Sequence, residues 1–155
     1  MSIFTKATMI FKLFGAKKLL NDATMNSISN EVANIQSEVD ELKEAVVQND
    51  KAEVVDALGD IMMFCLQTAY RLDVNMQPIM EDIINSQYSK LCSTPEDVLL
   101  TRDYYSSINV ETYAIQHGAY TIVKSLGNQT GSDGKEYPND KVLKNQRTFK
   151  APQSK

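Results

Sequence analysis

Apolar residues recur at steps of three and four through the first third of the chain. Met25, Ile28, Val32, Ile35, Val39, Leu42 and Val46 form one narrow seam, which predicts an amphipathic helix running to about Gln48. Asn49-Asp50 closes that helix and opens the next. From Lys51 to about Arg71 the apolar positions (Val54, Val55, Ala57, Leu58, Ile61, Met62, Met63, Phe64, Leu66) lie on nearly every side, and such a helix is expected to be buried. Ahead of these, Ser2–Leu20 carries a weaker helical pattern with Ile3, Phe4, Ile10, Phe11, Phe14, Leu19 and Leu20.

Asp73–Asn75 reads as a turn, and Pro78 suits the first turn of a fourth helix bearing Met80, Ile83, Ile84, Tyr88 and Leu91. Thr94-Pro95-Glu96-Asp97 offers a cap, a first-turn proline and two first-turn acids, so a fifth helix starts there and fades near Ser106-Ser107. Beyond Val110 the periodicity changes. Tyr120–Val123 reads as a short strand and Gly127–Lys135 as turns. Few apolar anchors follow besides Val142, Leu143 and Phe149. The expected fold is all-α: a bundle of about five helices over residues 1–110, with an irregular, partly extended tail over 111–155 packed on the same domain.

The 155 residues are 43% hydrophobic and 23% charged, enough to build a core. No apolar run is long enough for a membrane span. Lys6, Lys12, Lys17 and Lys18 break the N-terminal apolar stretch, so a signal peptide is not expected. Cys65 and Cys92 are read as reduced core residues, which together with the missing leader suggests a cytoplasmic protein.

Charge changes the picture. The net charge of −4 conceals nine acids against two bases over residues 29–60, and seven bases against three acids over 121–155. An acidic chain makes nucleic acid a poor partner. An acidic centre with a basic tail suits metal ions and an anion held together; a solvated acidic face with a loose tail has the same composition.

Within the acidic centre, Glu38 and Glu41 share one helical stripe, and Glu53, Asp56 and Asp60 share another. Asp56 and Asp60 interrupt a helix read as buried, with no Lys, Arg or His between Ala52 and Tyr70. Buried carboxylates without a partner cost several kcal/mol each, roughly, so a cation is expected among them. Two Mg²⁺ ions, oxygen-seeking and doubly charged, would balance four carboxylates; Mn²⁺ is the substitute. Asp40, Glu31 and Glu44 are read as surface residues. Zinc and di-iron sites lack ligands: His117 is the sole histidine and no Glu-x-x-His pair exists. The glycines match no phosphate loop.

Glu38-x-x-Glu41, then Glu53-x-x-Asp56 running into Ala57-Leu58-Gly59-Asp60-Ile61-Met62, resembles the all-α nucleoside triphosphate pyrophosphohydrolases of the MazG-like superfamily, and most of all its phosphoribosyl-ATP pyrophosphohydrolase-like branch. Asn85-Ser-Gln-Tyr-Ser-Lys90 is similar to an Asn-x-x-x-x-Lys element of that branch, and the likeness runs from about Ile28 to Pro152. Where the family often has a second acid ahead of the first motif, this chain has Ser37.

The resemblance implies Mg²⁺-dependent cleavage of a nucleoside triphosphate between the α and β phosphates, giving a monophosphate and pyrophosphate. It implies Glu38, Glu41, Glu53 and Asp56 as catalytic metal ligands, with Asp60 added. Asn85, Lys90, Lys124, Lys135 and Lys144 are the expected substrate contacts. A homodimer or homotetramer is expected, with no nucleic-acid or membrane partner. The competing readings are true phosphoribosyl-ATP hydrolysis and a non-enzymatic helical interaction protein.

Overall fold

Two helix starts and two helix stops follow directly from local chemistry. The computed structural model describes residues 1–19 and 28–153; Leu20 of the first segment and Met25 of the seam lie outside them. Helix α1 spans Ile3–Leu13, with the Ser2 hydroxyl accepting from the Thr5 amide. It stops well short of Leu20 because Gly15 takes a left-handed conformation (φ 75°) and the Ala16 amide turns back to the Phe11 carbonyl. Helix α2 spans Ser29–Gln48 and ends at Asn49, also left-handed at φ 56°. Asp50 then caps α3, Lys51–Arg71, by accepting from the Ala52 and Glu53 amides. The Asn49-Asp50 hinge reading is therefore borne out.

The described residues divide into two compact units, Met1–Pro78 and Ile79–Lys155. In the first, α2 and α3 pack along one another and α1 lies against α3. Phe11 of α1 meets the Tyr70 ring at 5.9 Å between centroids. Buried Glu31 of α2 pairs with Arg71 at the end of α3, which corrects its reading as a surface residue. Helix α3 is also not buried on every side. Val55 (61%), Leu58 (47%) and Met62 (59%) are exposed, as is Cys65, because α2 and α1 cover only one flank.

Helix α4, Met76–Tyr88, starts where the Asn75 side chain accepts from the Gln77 amide; the division between the units falls within its first turn. In the second unit, helix α5 spans Pro95–Ser107 behind a full capping box: Thr94 accepts from the Asp97 amide and Asp97 from the Thr94 amide. Strands β1 (Thr112–His117) and β2 (Tyr120–Ser125) form an antiparallel hairpin, and β3 (Gln129–Thr130) and β4 (Glu136–Tyr137) a smaller one. The structure is thus mostly helical, with five helices among the described residues and a small β region near the C-terminus.

The residues after Val110 are not a loose appendage. They supply Val123, Tyr137 and Leu143 to a core shared with Cys92, Tyr105 and Val110. Gly131 is required there: a Cβ would sit 2.7 Å from Asp133 Oδ1 and 3.0 Å from the Tyr137 ring. Among the described residues, no helix is long and apolar enough to cross a membrane.

Candidate active site

Helices α2 and α3 bring acids from two stripes into one another's field. Glu38 is half-buried; Glu41, Glu53, Asp56 and Asp60 are exposed. Partial burial, and then the charges of Glu41, Asp60 and Asp56, raise the Glu38 carboxyl above its ordinary value. Glu53 stands in the first turn of α3, one turn before Asp56. None of these five carboxylates forms an ion pair among the described residues. The neighbouring acids differ: Asp40 binds Lys43 and Gln36, and Glu44 binds Gln48.

This arrangement corrects the sequence argument for a cation. Asp56 and Asp60 face solvent, so burial does not demand a counter-ion; the closeness of like charges favours one without requiring it. The donor set, all hard carboxylate oxygen with no cation of its own, fits Mg²⁺ chemistry. The side chains themselves are not drawn together: among the described residues no three acids, histidines or cysteines are gathered as a metal-holding group.

The expected substrate contacts fall in the second unit. Lys90, Lys135 and Lys144 line one cavity, together with Lys141. Asn85 is exposed on α4, and Lys124 sits on β2 opposite Tyr113; neither lines that cavity. Asn145, which sequence reasoning missed, is fully buried and holds the lysine-bearing segment in place. Its signal was faint: one amide residue within a basic stretch.

Residues 18–87 match the family model for phosphoribosyl-ATP pyrophosphohydrolase. This helical region is similar to that family, a member of the all-α MazG-like superfamily. The match takes in α2, α3 and most of α4, and with them Glu38, Glu41, Glu53, Asp56, Asp60 and Asn85. The pyrophosphohydrolase segment ends before Lys90, so the cavity lysines, α5 and both hairpins lie beyond it. No curated protein and no solved structure matches the chain. The matched family is one of pyrophosphohydrolases, and the matched segment is consistent with that enzyme class.

Proposed function

We propose that the protein hydrolyses a nucleoside triphosphate between its α and β phosphates, releasing a monophosphate and pyrophosphate. The observation that carries the reading is the set of acids around Glu38. Two helices of the segment that matches a pyrophosphohydrolase family present like charges to Glu38, and among the described residues none of these five acids forms an ion pair. A folded protein gains nothing from that repulsion unless a ligand relieves it.

In this reading Glu38, Glu41, Glu53 and Asp56, with Asp60 added, would hold Mg²⁺. The bound metal would neutralise the triphosphate and acidify a water for attack at the α phosphorus. The chain's own part is positional. The α2–α3 hairpin, fixed by the Asn49 turn and the Asp50 cap, sets the spacing of the acids. Ser37 leaves no additional acid at the start of the first motif, so proton removal falls to one of the metal-holding carboxylates or to solvent.

The exposed stripe Val55, Leu58 and Met62 supports a second proposal, that copies of the chain pair through α3. These residues recur at i, i+3 and i+7 and form one apolar line on the helix. Covering them would supply the buried environment that the sequence pattern of α3 implies.

The test is a nucleotide panel with phosphoribosyl-ATP included, each member incubated with protein and Mg²⁺. Pyrophosphate is the expected product from at least one triphosphate, lost in Asp60→Asn and in Glu38→Gln with the fold retained. Orthophosphate release, or cleavage of phosphoribosyl-ATP alone, would overturn the substrate assignment. Activity surviving in both variants would overturn the acid site.

A further inference from the structure

We propose that the second unit holds a binding site for an oligophosphate chain, the pyrophosphate or triphosphate group, in the cavity bounded by Lys90, Lys135, Lys141 and Lys144. The cavity measures about 460 Å³, and among the described residues no acid lines it. It lies entirely outside the family segment, and the argument does not depend on the hydrolysis proposed above.

The lysines are not equivalent. Lys135 is already neutralised by Asp133 at 2.9 Å. Among the described residues the other three form no ion pair with a carboxylate. Lys90 Nζ donates to the Gln87 side-chain oxygen at 2.6 Å, and Lys141 Nζ to the Glu136 carbonyl at 3.1 Å. Lys144 Nζ lies 4.5 Å from the Phe149 ring centroid. Burial, and then the charges of Lys144 and Lys141, push the Lys90 ammonium below its ordinary value. Three lysines thus line one cavity with no ion pair to a carboxylate among the described residues. A single orthophosphate carries only about −1.5 to −2, too little for three. A chain of two or three phosphates matches better.

The lysines are also held in advance. The Lys144 amide donates to the Tyr105 hydroxyl at 3.1 Å, and the Leu143 amide to the Val123 carbonyl at 2.9 Å. Asn145 Nδ2 donates to the Leu91 carbonyl at 3.0 Å, tying the Lys144 side of the cavity to the residue next to Lys90. A loose tail would scatter its charges; this segment fixes them, which lowers the ordering cost of binding.

The experiment is calorimetric titration of the full chain with inorganic tripolyphosphate, pyrophosphate, orthophosphate and ATP. EDTA is present throughout, so that neither metal binding nor hydrolysis contributes. Tripolyphosphate and ATP are expected to bind alike and more tightly than orthophosphate. Lys141→Gln with Lys144→Gln should weaken them by about tenfold or more, since each ammonium–phosphate bond is charge-assisted. Lys150→Gln, an exposed lysine outside the cavity, should leave binding unchanged. Binding of ATP without tripolyphosphate would assign recognition to base and sugar and overturn the proposal. So would equal binding of orthophosphate, or full affinity in the double variant. In the unmutated protein, tripolyphosphate should shift the amide resonances of residues 90 and 141–146; shifts confined elsewhere would overturn the site even if the variant failed to fold. Pyrophosphate release in the Mg²⁺ assay is read separately, so either proposal can fail alone.

Discussion

Removing one side chain, that of Asn145, should unfold the second unit more readily than any surface change. The residue is fully buried and its amide makes three bonds: Nδ2 to the Leu91 carbonyl at 3.0 Å, and Oδ1 from the Arg147 and Thr148 amides at 2.9 and 3.3 Å. A typical hydrogen bond contributes about 1 kcal/mol net, and a buried group left unpaired costs about 1–3 kcal/mol. Asn145→Ala is therefore expected to cost about 3–5 kcal/mol, a large share of the roughly 5–15 kcal/mol that stabilises a typical domain. Thr101→Val is the internal standard. Thr101 is equally buried but accepts one backbone bond, from the Gln146 amide at 3.2 Å, so about 1 kcal/mol is expected.

Urea denaturation followed by near-ultraviolet circular dichroism reads this well. The chain has no tryptophan, and the tyrosine pairs Tyr104–Tyr105 and Tyr105–Tyr137 pack edge to face within the second unit. A Thr101→Val cost equal to or above that of Asn145→Ala would refute the reasoning, because bond count would then not set the order. An Asn145→Ala cost below about 1 kcal/mol would refute it too.

Other outcomes follow from single features. Burial opposes the charge on Asp97, but hydrogen bonds from the Ser93 and Thr94 amides and hydroxyls win and hold its carboxyl below the ordinary range. Its contribution is therefore present above the unfolded carboxylate value and lost as pH falls through the lower folded one; Asp97→Asn should flatten the acid limb of a stability–pH curve. Gly131→Ala should destabilise the second unit by about 1–3 kcal/mol in the same urea assay, because the Asp133 carboxylate and the Tyr137 ring must give way. Mg²⁺ at about 100 times its dissociation constant should add about 2.7 kcal/mol to the first unit, and Asp60→Asn should abolish that gain in a thermal melt. Leu58→Asp should shift any assembly toward single chains in sedimentation, whereas an unchanged sedimentation profile would remove the α3 stripe as the contact.

The helices were legible because their signals are local. Asn49-Asp50 and Thr94-Pro95 each act within one or two turns, and the structure has them where the pattern puts them; the three-four seam marks helix α2, but its Val32 and Val46 are exposed. What failed depended on neighbours. The exposure of Val55, Leu58 and Met62 reflects how much of α3 its companions cover, which an apolar count along one helix cannot reveal. Glu31 and Arg71 lie forty residues apart and pair only because α2 runs beside α3. The β region was half seen. Tyr120–Val123 read as a strand, but its partner Thr112–His117 depends on the tight turn at Gly118 (φ 56°), and Leu143 docks through the Val123 carbonyl of that hairpin. The carboxylates were picked out by spacing, yet the argument from burial misjudged why they matter.

Two like charges about 4 Å apart repel by about 1 kcal/mol in water and by about 4 kcal/mol near a protein surface. Exposed acids such as Asp56 and Asp60 stand toward the lower figure, so the protein tolerates them without a bound cation and need not unfold when metal is removed. The lysine cavity is likewise tolerable when empty. Neither group is therefore a structural necessity that a ligand must rescue; what each has is like charge on a support fixed by other bonds. The Asn49-Asp50 junction fixes one, Asn145 and the Tyr105 hydroxyl the other. Such supports hold the charges where an ion or a phosphate chain would need them, and the binding measured should fall with added salt more steeply than stability does, since the charges contribute to the first far more than to the second.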